Sequence, residues 1–316
     1  MPRVCVIGSA NVDYTLGLPR LPRAGETVLG GTLLVNLGGK GANQAVAARR
    51  LGAEVRLIAC VGQDSAGAEL GRRLAAVGIG MDGVITVPDA ATGTALIMVD
   101  AEGRNQIGVA PGANSRLSVE MAAPHADAIR WADVLVCQLE TPLPVVRWAL
   151  AEARRHQVTT VLNPAPVIPL SDDLLALVDY LTPNAGEADA LADVEVGDPE
   201  SARQAAERLL ARGARAVVVT LGEQGALVYG GSGAAHFPAF PVKAVDTTAA
   251  GDAFTGALAV GLAAGGTLEQ AIPLANAAAA LACTRRGAQD SLPDRAAVEE
   301  FLKKLRGGAP REEQGS

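Results

Sequence analysis

Residues 246–256, Asp-Thr-Thr-Ala-Ala-Gly-Asp-Ala-Phe-Thr-Gly, carry the residue types that a phosphate site needs. Small side chains let a backbone approach a ligand closely. A helical run of small residues follows through Ala264, so a helix is predicted to begin near Asp252. Unpaired N–H groups at a helix N-terminus, together with the helix dipole, bind anions. The segment therefore predicts an anion hole that would fit a terminal phosphate.

Asp252 has two interpretations at this stage. An acidic residue in a first helical turn stabilises the helix by about 0.3–1 kcal/mol, which is a purely structural role. Beside an anion hole, however, a carboxylate could accept the proton of an attacking hydroxyl while the N–H donors stabilise developing charge. A weak base suffices for phosphoryl transfer, because positioning and electrostatics supply most of that catalysis. The residue types alone leave both interpretations open.

A second glycine-rich segment, residues 38–44, has the sequence Gly-Gly-Lys-Gly-Ala-Asn-Gln. It does not fit the two common nucleotide fingerprints. A P-loop requires Ser or Thr directly after the lysine, and a dinucleotide-binding turn requires a glycine where Gln44 stands. By itself, the segment indicates a tight turn that leads into a helix predicted over residues 43–51.

The elements that position these segments follow from short, almost continuously apolar runs. Such runs are typical of strands covered on both faces, and amphipathic segments between them, such as residues 201–212, suit crossover helices. The pattern predicts an α/β fold with a three-layer, mostly parallel sheet flanked by helices. The predicted strands lie at residues 4–7, 55–61, 134–137, 159–162, 180–182 and 216–221.

Two stretches interrupt this rhythm. Residues 13–37 and 92–109 contain strand-like runs and Gly/Pro punctuation without helical patterns, which predicts a small accessory sheet. The α/β domain is then predicted to comprise residues 1–12, 38–91 and 110–306. Residues 307–316 are polar and glycine-rich after a helical run, so they are predicted to form a disordered tail.

Composition excludes several classes of protein. The chain has 316 residues, 49% of them hydrophobic, and a net charge of −7 without a Lys/Arg-rich run, which argues against nucleic-acid and anionic-membrane partners. No apolar run is long enough for a membrane span or a signal peptide, so a cytoplasmic location is expected.

The cysteines and histidines have none of the spacings of a metal site or a catalytic triad. The cysteines are therefore predicted to be buried, reduced thiols, and the histidines to lie at the surface. These residues are Cys5, Cys60, Cys137, Cys283, His125, His156 and His236.

Together, the two glycine-rich segments resemble the paired signatures of the ribokinase, or phosphofructokinase-B, family of carbohydrate kinases. Other segments similar to that family occur in order along most of the chain. They are Gly8-Ser9-Ala10-Asn11-Val12-Asp13, Gln138-Leu139-Glu140, Asn163-Pro164-Ala165-Pro166, Thr182-Pro183-Asn184 with Glu187, Thr220-Leu221-Gly222 and Arg285-Arg286-Gly287-Ala288-Gln289. The resemblance implies a ribokinase-like fold and phosphorylation of a sugar by ATP, with the 5-hydroxyl of D-ribose as the expected acceptor.

The resemblance also implies roles for individual residues. The anion hole would comprise Ala249, Ala250, Gly251 and Asp252, with Asp252 as catalytic base. Sugar contacts would come from Asn11, Asp13, Gly39, Lys40, Asn43, Glu140 and Asp252. The ATP site would include Asn184, Thr220, Gly222, Gly225, Gly251 and Asn276. A monovalent cation such as K⁺ would be held by Asp246, Thr248, Ala282, Arg285, Gly287 and Ser291, mostly through carbonyl oxygens, and Glu187 would orient Mg²⁺ through water.

Residues 13–37 and 92–109 would then form a lid over the sugar that excludes water, and paired lids would make a homodimer. The departures from the family pattern are Ala185-Gly186 and Pro111, and both leave the functional side chains intact. Two alternatives stay open. One is a kinase of the same family that acts on 2-deoxyribose, a ketohexose or a nucleoside, and the other is a non-catalytic sugar-binding protein on this fold.

Overall fold

The computed structural model describes residues 1–307, which form two sheets and their flanking helices. The strands are β1 (Arg3–Ile7), β2 (Asn11–Gly17), β3 (Leu33–Gly38), β4 (Glu54–Gly62), β5 (Gly80–Val87), β6 (Gly93–Val99), β7 (Asn105–Ala110), β8 (Val134–Cys137), β9 (Thr159–Leu162), β10 (Tyr180–Leu181), β11 (Ala216–Thr220), β12 (Ala226–Gly230) and β13 (Gly233–Phe237). The α-helices are α1 (Lys40–Arg50), α2 (Ser65–Val77), α3 (Val119–Ala122), α4 (Ala126–Trp131), α5 (Leu143–Arg155), α6 (Asp172–Leu175), α7 (Ala185–Ala192), α8 (Pro199–Ala211), α9 (Ala250–Ala263), α10 (Leu268–Cys283) and α11 (Arg295–Gly307).

The larger sheet has nine strands in the order β13-β12-β11-β10-β9-β8-β1-β4-β5. All neighbours from β11 to β5 pair in parallel, whereas β12 and β13 pair antiparallel at one edge. Parallel strands require crossover connections, and these connections cover the faces of the sheet. The prediction of a mostly parallel sheet flanked by helices is therefore confirmed.

Both faces of this sheet are buried, as β1 illustrates. Val4 and Val6 pack into a core with α1, α9 and α10, while Cys5 and Ile7 pack into a second core with α5 and α8. Successive strand residues point to opposite faces, so a strand covered on both sides has a continuously apolar sequence. Layers built on both sides of β1 bring the amino ends of α1 and α9 to the carboxyl ends of the central strands.

The six strands predicted from apolar runs are present with ends that agree within two residues, but β5, β12 and β13 were not predicted. β5 and β13 are the two edge strands of the sheet, and β12 lies next to β13. Edge strands are partly solvated and lack the continuous apolar run of a central strand, as the exposed residues of β13 illustrate. Their sequences therefore gave a weaker signal.

The second sheet has four strands in the order β3-β2-β6-β7, which agrees with the expected accessory sheet. Its strands extend the predicted segments by a few residues, from Asn11 in β2 to Ala110 in β7. The strand pair β2 and β6 is parallel, with Asp13 opposite Ala95. Because β2 follows β1 after three residues, the small sheet adjoins the carboxyl end of β1.

Of the predicted tail, Gly307 is the last residue of α11, and residues 308–316 lie outside the described part of the chain. Within residues 1–307, no helix has the length and apolar character that crossing a bilayer would require. Cys5, Cys60 and Cys137 are buried as predicted, but Cys283 is only half-buried because it lies beside a cleft described below.

Candidate active site

The amino end of α9 presents unpaired N–H donors. Ala249 precedes the helix with φ 60° and ψ 11°, a left-handed conformation that is unusual for alanine and turns the chain into α9. Among residues 1–307, no backbone acceptor meets the N–H groups of Ala249, Gly251 or Asp252, whereas the Ala250 N–H donates to the carbonyl of Thr247 at 3.2 Å. Three of the four predicted anion-hole donors are thus free, and Ala250 is the exception.

The carboxylate of Asp252 lies in the first turn of α9 and is 7% exposed. Asn43 Nδ2 donates to its Oδ2 at 2.9 Å, and Gln44 Nε2 donates to its Oδ1 at 2.9 Å. Burial raises the pKa of Asp252, while the nearby Lys40 cation and the two amide donors oppose that rise. The residue has more than a helix-capping environment, since both of its oxygens are held by side chains from α1.

Asp252 lines a pocket of about 210 Å³ that would fit a phosphate group. Lys40 lies in the same pocket and makes no hydrogen bond or ion pair through its ammonium with residues 1–307. Burial lowers the pKa of Lys40, but Asp252, Glu140 and Glu187 more than offset this, so its pKa is raised. Lys40 is therefore a charged group directed at the pocket that holds Asp252.

Glu187 and Asn184 form a capping box at the start of α7. Asn184 N–H donates to Glu187 Oε2 at 2.9 Å, and Glu187 N–H donates to Asn184 Oδ1 at 2.8 Å. Burial is the main reason that the pKa of Glu187 is raised. The second carboxylate oxygen, Oε1, accepts no hydrogen bond within residues 1–307, and Glu187 lines the phosphate-sized pocket. One oxygen is thus structural and the other is free for a ligand.

The phosphate-sized pocket shares Asn184, Thr220, Thr247 and Gly251 with a larger cleft of about 770 Å³. All six residues expected at the ATP site line this cleft, and its walls add apolar groups such as Phe240 and Phe254. A cleft of this volume that combines apolar walls with free N–H donors has the size and chemistry for a nucleotide.

Asn276 and Gly225 also stabilise the wall of the cleft. Asn276 Nδ2 donates to the carbonyls of Phe237 and Pro238 at 3.3 and 3.2 Å, so this amide holds a wall of the cleft. Gly225 has φ 91°, and a Cβ atom there would lie 2.1 Å from the carbonyl oxygen of Phe237. Gly222 also has a positive φ, but it faces open space. The geometry therefore favours direct ligand contact at Gly222 over Gly225.

The predicted sugar residues gather near Asp252 at the carboxyl end of β1 and at the start of β2. Asp13 Oδ1 is buried without a partner among the described residues. Burial, with additional repulsion from Glu140 and Asp252, raises the pKa of Asp13 to about 6. An unpartnered buried acceptor is costly, and sugar hydroxyls would satisfy it.

Asn11 has a fixed orientation because Asn114 Nδ2 donates to Asn11 Oδ1 at 2.7 Å. Asn114 is itself fixed, since its Oδ1 accepts from the Ala10 N–H at 2.9 Å. The free end of Asn11 is therefore its NH₂ group. Gly93 makes this arrangement possible, because a Cβ atom there would lie 2.2 Å from both amide side chains.

Three further predicted sugar contacts stand at the start of α1 with other partners. Glu140 Oε2 accepts from Ser9 Oγ and from the Lys40 N–H, the latter at 3.0 Å, so it holds the amino end of α1. Gly39 has φ 84°, and a Cβ atom there would collide with the backbone of Ala10 and Asn11. Asn43 donates to Asp252, as described above. Glu140, Gly39 and Asn43 thus have structural contacts as well, and Asn43 Oδ1 is still without a partner among the described residues.

Several polar residues of the site received no role from the sequence, namely Gln44, Asn114, Gln138 and Asn163. Gln138 and Asn163 directly follow β8 and β9, and Gln44 is completely buried on α1. Polar residues directly after buried parallel strands are a signal for a ligand site at the carboxyl edge of the sheet. That signal was available, but it does not reveal which group each amide meets.

The segments expected to hold a monovalent cation are joined behind the anion hole. Asp246 Oδ2 accepts from the Gly287 N–H at 2.9 Å, and Asp246 Oδ1 accepts from Thr248 N–H and Oγ at 2.9 and 2.6 Å. Within residues 1–307, no hydrogen bond reaches the carbonyl oxygens of Thr248, Arg285, Gly287 or Ser291. The Ala282 carbonyl, by contrast, accepts from the Arg285 N–H at 3.2 Å. Four of the expected carbonyl ligands are therefore available to a cation.

The fold and this site match those of a known family. The chain matches the pfkB family of carbohydrate kinases over residues 1–295, and it belongs to that family. It is 44% identical over 299 residues to the ribokinase of Haemophilus influenzae, covering 94% of this chain and 97% of that protein.

Solved ribokinases have the same fold. The Thermotoga maritima ribokinase has a TM-score of 0.88 at 38% identity, covering 96% of this chain and 100% of that one. The Arabidopsis thaliana ribokinase complexed with ribose and ATP also has a TM-score of 0.88, at 31% identity, covering 96% of this chain and 99% of that one.

Proposed function

We propose that this chain transfers the γ-phosphoryl group of ATP to the 5-hydroxyl of D-ribose, which yields ADP and D-ribose 5-phosphate. The observation that carries this proposal is the buried Asp252 carboxylate beside free N–H donors, where a phosphate-sized pocket opens into a nucleotide-sized cleft. The similarity to proteins named ribokinase, one of them solved with ribose and ATP, supports ribose as the acceptor.

In the proposed reaction, the ribose 5-oxygen forms a bond to the γ-phosphorus as the bond from that phosphorus to the bridging oxygen of ADP breaks. Asp252 receives the hydroxyl proton. The N–H groups of Ala249, Gly251 and Asp252 stabilise charge on the transferring group, and Lys40 adds a cation to the same pocket. Ala250 contributes to the turn that directs these donors, since its own N–H is already engaged.

The sugar is proposed to bind between Asn11 and Asp13. The orientation set by Asn114 leaves Asn11 with N–H donors, and Asp13 supplies an acceptor that has no protein partner. A donor and an acceptor side by side recognise vicinal hydroxyls, and a substrate that lacks one of them leaves a buried polar group unsatisfied. This pair supports ribose over 2-deoxyribose.

Two metal ions complete the proposal. Mg²⁺ would lie near Glu187, which lines the phosphate-sized pocket and whose Oε1 accepts no hydrogen bond within residues 1–307, and it would neutralise phosphate charge. K⁺ would be held by Asp246 and the free carbonyls of Thr248, Arg285, Gly287 and Ser291, with Ala282 alongside. A cation there would stiffen the loop that leads into the anion hole.

K⁺ is expected to raise kcat, and Asp246→Ala is expected to abolish most of that response and lower kcat by about tenfold or more. The physical reason is that Asp246 joins the two segments that would surround the ion, while the sugar residues lie elsewhere. Initial rates in K⁺, Na⁺ and tetramethylammonium check this, with KM for ribose measured in parallel. Asp290→Ala, which removes an exposed carboxylate from the second of these segments, residues 282–291, is the control. Equal rates in all three cations contradict the proposal.

The small sheet is proposed to act as a lid that closes over ribose and pairs with the lid of a second copy. Its register puts Leu34, Ile107 and Val109 on the face that also carries Asp13, and these three apolar side chains are 45%, 57% and 54% exposed. Exposed apolar faces and exposed strand edges are commonly covered by a partner, so a second copy of the sheet is proposed to pack here.

A dimeric mass is therefore expected at micromolar concentration, and Ile107→Lys is expected to shift it to a monomer. Sedimentation velocity measures this directly. Val167→Lys changes an exposed apolar residue outside the small sheet and should leave the dimer intact. A monomeric wild-type chain contradicts the pairing of lids, although not the kinase activity.

The experiment that tests the proposed function is ADP release from ATP with a panel of D-ribose, 2-deoxyribose, fructose and adenosine. The highest kcat/KM is expected with ribose. Faster turnover of fructose or adenosine would reassign the acceptor, and sugar binding without turnover would favour a non-catalytic sugar-binding protein.

We further propose that the chain works in the cytoplasm.

A further inference from the structure

A chain of buried amides leads to the carboxylate of Asp252. Asn163 Nδ2 donates to the carbonyl of Thr182 at 3.0 Å, and Asn163 Oδ1 accepts from Gln44 Nε2 at 3.2 Å. The same Gln44 nitrogen donates to Asp252 Oδ1 at 2.9 Å. Gln138 Nε2 in turn donates to Gln44 Oε1 at 2.5 Å. We call Gln44, Gln138 and Asn163 the amide relay.

The hydrogen-bond partners of the amide relay allow only one orientation for each amide group. A backbone carbonyl accepts but cannot donate, so Thr182 requires the NH₂ group of Asn163 and leaves Asn163 Oδ1 as an acceptor. That acceptor requires the NH₂ group of Gln44, whose second N–H then meets Asp252. The Gln44 oxygen is consequently left to accept from Gln138. A reversed Gln44 would put its oxygen against the Asn163 oxygen and the carboxylate.

The amide relay carries an energetic cost that helix and sheet packing do not require. Gln44 and Gln138 are completely buried, and Gln138 Oε1 has no hydrogen-bond partner within the described residues. Gly8 leaves room for that oxygen, because a Cβ atom at Gly8 would lie 1.9 Å from it. An unsatisfied buried polar atom calls for an explanation, and such atoms are often tolerated at functional sites.

We propose that Gln44 is a positioning residue that holds Asp252 ionised and correctly rotated, and that Gln138 and Asn163 keep Gln44 in its donating orientation. The proposal deepens the proposed function and rests on Asp252 acting as the base. Asn43 donates to the other carboxylate oxygen, so the pair Asn43 and Gln44 clamps both oxygens of Asp252.

Charged groups around Asp252 have opposing effects. Lys40 from α1 favours the carboxylate, whereas Asp13 from β2, Glu140 after β8 and Glu187 from α7 favour the protonated form. Burial also raises the pKa of Asp252. Removing the Gln44 donor is therefore expected to raise the pKa of Asp252 further. The carboxylate form that accepts the proton is then populated only at higher pH.

Gln44→Met keeps the length of the side chain and removes the donor. It is expected to lower kcat about 10- to 100-fold, the range for losing a hydrogen bond to a charged group, with both KM values within about threefold. The acid limb of the kcat–pH profile is expected to move to higher pH. Gln138→Met does not touch Asp252, and it is expected to lower kcat by about 3- to 10-fold because the buried Gln44 oxygen then loses its donor and Gln44 is held less firmly against Asp252.

A double-mutant cycle separates the amide relay from general damage. Gln44→Met with Gln138→Met is expected to be no slower than Gln44→Met alone, because Gln138 acts only through Gln44. Thr160→Val removes a buried hydroxyl with hydrogen bonds in β9, and it should lower the melting temperature without moving the pH profile. If Gln44→Met does not fold, Gln138→Met tests the same prediction.

Wild-type turnover distinguishes the two proposals. If the wild type phosphorylates a sugar other than ribose, the acceptor assignment is overturned and the amide relay is tested with that sugar. If the wild type is active while kcat and the pH profile of Gln44→Met and Gln138→Met equal those of the wild type, the amide relay is overturned alone. Additive losses in the double variant also overturn it. An inactive wild type overturns both.

Discussion

Replacing Asp252 by Asn is expected to lower kcat by about 10²- to 10⁴-fold while ATP binding persists. Asparagine has nearly the same size, but it cannot accept the hydroxyl proton. Its NH₂ group would also face the N–H donor of either Asn43 or Gln44, each of which now meets a carboxylate oxygen. Steady-state ADP release gives kcat, and titration with a fluorescent ATP analogue gives the nucleotide affinity.

Two controls make this result specific. A melting temperature near that of the wild type shows that the buried site still folds, since Asp252 is 7% exposed and its loss could otherwise disturb packing. In the Asp252→Asn background, Gln44→Met should add little further loss, because its effect acts through the carboxylate. Turnover of Asp252→Asn within a few-fold of the wild type would refute the base.

Asp13→Asn is expected to raise KM for ribose by about 10²-fold or more, with a smaller change in kcat. The buried Oδ1 of Asp13 has no partner within residues 1–307, and hydrogen bonds from hydroxyls to a carboxylate are worth roughly 1.5–3 kcal/mol each. Isothermal titration with ribose measures the affinity directly. Asp89→Asn, at an exposed aspartate, should bind ribose normally. An unchanged ribose affinity in Asp13→Asn would move the sugar away from β2.

The stability of the sugar-free protein is expected to depend on pH through Asp13. The folded-state pKa of Asp13 is raised to about 6, mainly by burial, so the folded protein holds this proton more tightly than the unfolded chain does. Asp13 therefore costs no stability below about pH 4, destabilises the sugar-free protein increasingly as pH rises from there to about 6, and adds a constant cost at higher pH. Asp13→Asn should be more stable than wild type at pH 8, by on the order of 1–3 kcal/mol, and not at pH 4. Urea unfolding at the two pH values checks this.

Ribose binding should show the complementary dependence. Above pH 6, Asp13 is ionised and accepts from sugar hydroxyls with both oxygens, whereas below that pH the protonated acid is a poorer acceptor. The wild-type affinity for ribose should thus fall as pH decreases through about 6. Loss of this dependence in Asp13→Asn would identify the group, and its persistence would indicate another titrating residue.

The sequence by itself determined the fold class and the helix start at the proposed anion hole, because both depend on short-range physics. Short apolar runs such as residues 134–137 are typical of strands covered on both faces, and the structure has β8 with those bounds. The small residues before Asp252 predicted a helix start with free N–H groups, and α9 begins at Ala250. These properties depend on residues that are close together in the sequence, so they can be predicted without knowing which distant segments pack against them.

Only the tertiary structure decided which partner each buried amide meets. Asn43 was expected at the sugar, and the structure adds that its Nδ2 donates to Asp252, which lies 209 residues away along the chain. Gln44, which had no predicted role, joins Asn163 and Asp252 from separations of 119 and 208 residues. An amide can donate or accept, so its type and spacing do not select a partner. Its partner is set when β8, β9, α1 and α9 pack together, and that packing also fixes the orientation of the Asp252 carboxylate.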